Sequence, residues 1–301
     1  MAIKSWVAAA RLRTLPLAFS CILLGNFIAI SQGAFTYEIL ILSLLTTLFY
    51  QVLSNYANDY GDGVKGTDAD RQGERRAVAA GEITPEQMRN AVVLFAILAW
   101  ISGALLSYLG TESLPSWIFY AFLILNTGAV ISAIRYTVGG TAYGYKGYGD
   151  VYVLIFFGWV GVVGSHFLQT QELNLLVFLP ATSVGFLAMG VLNLNNMRDL
   201  ESDVTHGKMT VPVKIGRAKA KTYHSVLLIG AVVSMALYIW LGTQGGWAWL
   251  AMATSPIIFI QLRKARKAET PREFDPLLKP LALSTLLFAL ISGLALNFHL
   301  L

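Results

Sequence analysis

Apolar runs of about 20 residues recur along the whole chain, separated alternately by short polar links and by longer, charged ones. As a helix, each run is about long enough to cross a hydrocarbon core ~30 Å thick. The pattern predicts about nine spans, near 15–32, 37–57, 88–109, 117–135, 151–169, 174–194, 223–242, 246–262 and 281–300. The first begins at Leu15 and lacks a small-residue cleavage site ahead of a polar mature domain, so it reads as a retained helix. The expected fold is all-α: a polytopic membrane helix bundle around a central apolar cavity, one domain over 1–301.

Where the charges fall supports this reading. All 22 Lys and Arg lie in the N-terminal lead-in or in links that follow even-numbered spans. The opposite links, near 33–36, 110–116, 170–173 and 243–245, hold none. Such a bias predicts a cytoplasmic N-terminus, an external C-terminus and an odd number of spans. Only 13% of the 301 residues are charged, 55% are hydrophobic, and mean hydropathy is +0.60. The net charge of +5 thus reflects topology and attraction to anionic headgroups, and nucleic acid is not an expected partner. The single cysteine, Cys21, lies within the first span, which excludes an internal disulfide. Four scattered histidines, at 166, 206, 224 and 299, have no ligand spacing and do not suit zinc.

Two polar stretches break the pattern at span ends. Residues 55–68, NYANDYGDGVKGTD, carry Asn55, Asn58, Asp59, Asp62 and Asp68. On a helix continued to 62, Asn55, Asp59 and Asp62 share a face at i, i+4 and i+7. Residues 193–208, NLNNMRDLESDVTHGK, place Asn195, Asp199 and Asp203 at i, i+4 and i+8. An offset of 141 pairs Asn55 with Asn196, Asn58 with Asp199, Asp62 with Asp203 and Gly66 with Gly207, a weak internal repeat. Stacked carboxylates repel one another, so a cation is their natural partner. Asparagines at membrane depth are costly unless they too have partners.

The links add further candidates. Arg13 precedes Leu15-Pro16, where it either anchors the lead-in at the interface or binds an anion. After the first acidic stretch come Arg71, Arg75 and Arg76, which suit either a solvated mixed-charge loop or an anion bridged by metal. Thr84-Pro85-Glu86-Gln87 and Thr270-Pro271-Arg272-Glu273 read as capping boxes opening helices. The link 135–150, RYTVGGTAYGYKGYGD, combines glycines that admit a ligand close to the backbone with tyrosines that offer an aromatic wall. It reads as an aromatic-substrate pocket or lid, or as a belt-like linker. Asp150 there also suits a helix N-terminus.

Facing carboxylate clusters at the mouth of an apolar bundle suggest Mg²⁺, a hard ion that commonly bridges carboxylates to phosphates. A lipid diphosphate with its head at the metal and its tail among the helices fits this layout. Placement of the acids at one mouth, with apolar mid-span positions, argues against a cation-coupled transporter, whose site lies near the midplane.

RTLPLAF (13–19), LSNYANDYGDGVKGTD (53–68), GYGDVYVLIFFGW (147–159) and NNMRDLESDVTHGKMT (195–210) resemble the UbiA-type intramembrane prenyltransferases over essentially the whole chain. The Asn-Asn-x-Arg-Asp version of the second motif is most similar to the branch that prenylates 1,4-dihydroxy-2-naphthoate in menaquinone synthesis. The alternative within the family is another aromatic acceptor such as 4-hydroxybenzoate. The resemblance implies that Asp59, Asp62, Asp199 and Asp203 bind Mg²⁺–diphosphate and carry catalysis. It implies diphosphate contacts from Asn55, Asn58, Lys65, Arg76, Asn195, Asn196, Arg198 and Lys208, and an acceptor near Arg13, Tyr145, Lys146 and Asp150. The expected partners are a polyprenyl diphosphate, the naphthoate and the bilayer of a cell inner membrane, with the active site on the cytosolic side. Leu12 and Glu74 stand where the family pattern commonly has proline.

Overall fold

The computed structural model describes residues 3–66, 76–140, 142–242 and 245–298. Asp68, Arg71, Glu74 and Arg75 lie outside the described residues. The described chain is helical throughout, without a strand. A short lead-in, α1 (Ile3–Ala10), and a 3₁₀ turn (Leu12–Thr14) feed α2 (Leu15–Ser31), α3 (Tyr37–Lys65), α4 (Pro85–Thr111) and α5 (Ser116–Arg135). Then follow α6 (Gly149–Thr170), α7 (Phe178–Arg198), two short helices α8 (Leu200–Thr205) and α9 (Val211–Ile215), and α10 (Arg217–Gly242). A 3₁₀ segment (Gly246–Thr254), α11 (Ser255–Lys267) and α12 (Pro271–Leu296) complete the bundle.

Eight helices are long and apolar enough to span a bilayer among the described residues, and the protein is a multi-pass membrane protein. The stretch expected as an eighth span of nine, 246–262, is built differently. Nine residues of 3₁₀ helix run into thirteen of α-helix, interrupted by Ser255-Pro256. At ~2.0 and ~1.5 Å rise per residue this rod reaches roughly 37 Å, the length of a span, although neither helical piece alone is long enough to cross.

Local sequence explains the helix ends. Both halves of the Thr84 capping box form: Thr84 Oγ1 accepts from Gln87 N at 3.3 Å, and Gln87 Oε1 accepts from Thr84 N at 3.0 Å. The second box expected does not form. Thr270 makes no side-chain cap, and Glu273 reaches one residue further back to the Glu269 N–H at 2.8 Å. At 29 residues, α3 runs to about 43 Å, longer than the hydrocarbon core, so its last turns project beyond it. It stops at Gly66, whose φ of 75° is a left-handed cap open to glycine at little cost.

The helices pack as two groups. Leu53, Ala57, Ile83 and Met88 centre the group formed by α1, α3, α4 and α5. Leu24, Leu187, Leu194, Met235, Phe274 and Phe288 centre the group of α2, α6, α7 and α10 to α12. Inside α6, residues Leu154–Gly164 adopt a π-helix that brings Gly158 backbone against α7. A Cβ on Gly158 would lie 2.8 Å from the Ala181 carbonyl oxygen and 3.2 Å from Gly185 Cα, both backbone atoms that cannot swing aside. Glycine is therefore required for this contact, as in other close membrane helix pairs. Gly158→Leu is expected to lower the thermal unfolding midpoint in detergent, by a destabilisation of about 1–3 kcal/mol or more. Gly164→Leu, at a position where a Cβ meets nothing within 4 Å, is expected to be near neutral in the same measurement.

Candidate active site

The projecting end of α3 carries Asn55, Asn58, Asp59, Asp62 and Lys65, each tied to a different neighbour. Asn55, 4% exposed, donates to the Ala10 carbonyl at 2.8 Å and to Thr14 Oγ1 at 3.3 Å, fastening α3 to the lead-in. Arg13 sits exposed on the same 3₁₀ turn. Asn58 Oδ1 accepts from Thr137 Oγ1 at 3.1 Å. Gly61 faces that threonine so closely that a Cβ would lie 2.8 Å from Thr137 Oγ1.

Asp59 and Asp62 do different things. Asp59, 1% exposed, accepts from the Ala77 and Val78 backbone N–H groups, each at 3.0 Å, one on each carboxylate oxygen. It therefore pins the segment that enters α4, while its remaining lone pairs can still take a cation. Asp62 looks the other way: Oδ1 accepts from the Tyr145 hydroxyl at 2.7 Å, and Oδ2 lies 3.7 Å from an Arg76 nitrogen. Arg76 is itself buried.

Tyr145 is the joint between the two acidic stretches. It stands on the 3₁₀ turn Tyr143–Lys146, braced by Tyr143, whose ring stacks on Tyr152 at 3.8 Å and whose hydroxyl donates to the Ser132 carbonyl at 2.8 Å. Burial pushes the Tyr143 phenol well above its ordinary range, so it stays protonated and keeps donating. Over the Tyr145 ring lie Lys65 Nζ at 4.0 Å and Lys208 Nζ at 5.6 Å, one lysine from each stretch. Lys65 also donates to the Thr137 carbonyl at 2.7 Å. Lys208 reaches Asp203 at 3.8 Å, and Asp203 Oδ2 accepts from Thr210 Oγ1 at 3.4 Å. The Met209 N–H donates to the Tyr145 carbonyl at 2.9 Å, and Lys214 Nζ to the Lys146 carbonyl at 2.6 Å, locking the two links together. A continuous path Asp62–Tyr145–Lys208–Asp203 thus crosses the mouth.

The offset-141 register is visible in the backbone as well. Gly66 and Gly207, four residues after Asp62 and Asp203, both take left-handed φ, 75° and 67°. The register thus pairs equivalent turns as well as equivalent side chains.

The end of α7 forms its own cluster. Arg198, 4% exposed, donates through Nε and Nη2 to the two oxygens of Asp199 at 2.7 and 2.9 Å, and through Nη2 to Asn195 Oδ1 at 2.8 Å. Its third nitrogen reaches Asp275 of α12 at 2.6 Å. Asn196 is buried beside it in sequence. Asp150, at the first turn of α6, is buried and accepts from the Tyr223 hydroxyl at 2.9 Å. Sequence reasoning did not single out Asp275, Tyr223, Thr137 or Thr210. None carried a distinctive signal: Asp275 is one of three acids, with Glu269 and Glu273, on a mostly basic link.

The carboxylate and amide oxygens of the two stretches are hard donors, and His206, on the second stretch, turns its Nδ1 to the Ser202 carbonyl at 2.8 Å. Among the described residues no group of three His, Cys, Asp or Glu side chains is close enough to cage one ion. That combination fits Mg²⁺, which takes one or two protein carboxylates and completes its octahedron with water and phosphate oxygens.

A model of the UbiA prenyltransferase family matches residues 18–283. The 1,4-dihydroxy-2-naphthoate octaprenyltransferase of Escherichia coli (strain K12) is 41% identical over 292 residues, 95% of this chain and 94% of that protein. The protein of the same name from Mycobacterium tuberculosis is 32% identical, covering 97% of each chain. Among solved structures, an apo UbiA homolog from Aeropyrum pernix K1 superposes with a TM-score of 0.69 at 17% identity, covering 96% of this chain and 98% of that one. A UbiA homolog from Archaeoglobus fulgidus bound to GPP and Mg²⁺ gives 0.61 at 18% identity, covering 96% and 99%. These two establish the fold.

Asp59→Ala strands two buried N–H groups, each costing about 1–3 kcal/mol. Asp62→Ala takes the acceptor from the Tyr145 hydroxyl and the carboxylate from the buried Arg76 guanidinium. The unfolding midpoint in detergent is therefore expected to fall for both variants. An unchanged midpoint in Asp59→Ala would remove its role in pinning the segment that enters α4.

Proposed function

Because the chain belongs to the UbiA prenyltransferase family, we propose that it transfers a polyprenyl group from an allylic diphosphate to 1,4-dihydroxy-2-naphthoate, releasing diphosphate and CO₂ and giving demethylmenaquinol. The relatives of that name, matched over nearly their full length, support the choice of acceptor. The observation that carries the reading is the path Asp62–Tyr145–Lys208–Asp203, which brings two acidic stretches and two lysines to one mouth of an apolar bundle.

In this reading Asp62 and Asp203, supported by Asp59 and Asp199, hold Mg²⁺ against the diphosphate. Bound there, Mg²⁺ neutralises phosphate oxygens and makes diphosphate a better leaving group. Lys65, Lys208 and Arg76 answer the charge that develops as the allylic C–O bond breaks. Tyr145 donates to Asp62, fixing that carboxylate while its ring seats both lysines. Asn55, Asn58, Asn195 and Asn196 line the diphosphate side. Arg198 acts through Asp199, since its guanidinium is already shared between Asp199 and Asp275.

The ring carbon bearing the naphthoate carboxylate attacks the allylic carbon, forming the new C–C bond. Loss of CO₂ leaves its electron pair to restore the aromatic ring, so no side chain has to remove a ring proton. The 143–150 segment, with Tyr145, Lys146 and Asp150, and Arg13 from the lead-in, flank the acceptor's approach. The apolar helices receive the prenyl chain and keep water from the cation. The bias of basic residues toward these links supports a mouth on the cytosolic face of the cell membrane, with the N-terminus inside.

Membranes holding the protein are expected to form prenylated product from an allylic prenyl diphosphate, 1,4-dihydroxy-2-naphthoate and Mg²⁺, and none once EDTA has removed the metal. Asp62→Ala and Asp203→Ala are each expected to lower the rate by on the order of 100-fold or more. Full activity in either variant refutes the metal site. Product formed with 4-hydroxybenzoate alone refutes the acceptor.

A further inference from the structure

A basic cleft lies away from the mouth, where α10 begins and α11 ends. A cavity of about 510 Å³ is lined by Arg217, Ala218, Lys221, Thr222, Arg266 and Glu269. Lys221 is paired with Glu269 at 2.6 Å, and Arg217 with Glu201 of α8. Arg217 Nε is nonetheless buried without a hydrogen-bond partner, and Arg266 makes no salt bridge among the described residues. Glu273, beside Glu269, also acts on Lys221, so Arg217 and Lys221 are answered by carboxylates and Arg266 is the lining cation left without one among the described residues. Arg217 and Ala218 also open a 26-residue helix, whose positive end therefore faces the same space.

What lies below the cavity narrows the ligand. On α10, Thr222 is followed at helical spacing by Val226, Ile229, Val233, Leu237 and Trp240, which are 61, 45, 49, 39 and 70% exposed. Spacings of three and four place them on one stripe that starts at the cavity and runs the length of the span. On α11, Phe259 shares the face of Arg266, seven residues away, and is also exposed. A guanidinium without a carboxylate partner at a membrane boundary, continuous with apolar, exposed surface, is complementary to a phosphodiester carrying acyl chains. Basic pockets at span ends are a recurrent setting for anionic headgroups.

We propose that this cleft between α10 and α11 binds the phosphodiester of an anionic phospholipid, with Arg217, Lys221 and Arg266 around the phosphate and the acyl chains along the Val226–Trp240 stripe. Neither Lys221 nor Arg266 belongs to the prenyl-transfer mouth, so the proposal stands independently of the assigned reaction. The chemistry the cavity recognises, a phosphate oxyanion, could also come from free phosphate. The exposed apolar stripe selects the lipid.

Native mass spectrometry of the full chain released from detergent, with phosphatidylglycerol, phosphatidylcholine or inorganic phosphate added, tests this directly. Phosphatidylglycerol is expected to be retained severalfold more than phosphatidylcholine, and millimolar phosphate is expected not to displace it. Arg266→Gln should lower retention severalfold, and Arg266→Gln/Lys221→Gln should bring it to the phosphatidylcholine level. Prenyl transfer at saturating substrate, unchanged in Arg266→Gln, certifies the fold. Equal retention of the two lipids, or undiminished retention in the double variant, overturns the proposal. Displacement by phosphate assigns the cavity to free phosphate and overturns the lipid assignment.

Discussion

A carboxylate at the end of a membrane helix is tolerated only where donors answer it, and the hydrogen bond from Tyr145 to Asp62 is the one on which this mouth depends. Through Oδ1, Asp62 is fixed to the link after α5. Through the Tyr145 ring, Lys65 and Lys208 are held on the same side of the mouth. Through the Tyr145 carbonyl, the link after α8 is fastened by Met209. Three connections that are far apart in the chain thereby converge on one residue. Cations and carboxylates are left interleaved, which suits an anion with a metal ion and would be costly without ligand, water or mutual pairing.

The scaffold delivers these groups through two devices. One is length: α3 is longer than the hydrocarbon core is thick, and it carries Asp59, Asp62 and Lys65 on its last turns while Leu53 and Ala57 stay buried in the protein. The other is close helix approach, with the π-helical turn of α6 bringing Gly158 against Gly185 of α7. That contact sets the position of α7, and with it Asn195, Arg198 and Asp199. Asp275 then links the end of α7 to α12 within one packing group, while the Asp62–Tyr145–Lys208–Asp203 path joins that group to α3 of the other.

Much of this was legible in the sequence because it is written in short spacings. The spans follow from apolar run length, the Thr84 box from a four-residue pattern, and the pairing of Asp62 with Asp203 from an offset that Gly66 and Gly207 share. What escaped was what depends on backbone detail or on distant partners. Glu273 caps Glu269 in place of Thr270, a shift of one residue that composition does not encode. The 246–262 run reads as an ordinary span, yet Ser255-Pro256 and a 3₁₀ lead-in alter its build. Asp59 and Asp62 look equivalent by spacing, but one faces backbone amides and the other a phenol. The distant partners of Arg198 and Asp150, Asp275 and Tyr223, come from α12 and α10, which no local pattern could announce.

The central claim, that the two acidic stretches act as one site, is tested most directly by a double-mutant cycle on ligand affinity. Binding of a non-reactive prenyl diphosphate analogue with Mg²⁺ would be measured for the unmodified protein, Asp62→Asn, Asp203→Asn and the double variant, in the absence of acceptor. Non-additive losses are expected, with a coupling of about 0.5–3 kcal/mol. Additive losses, or a single variant that binds as tightly as the unmodified protein, would contradict it.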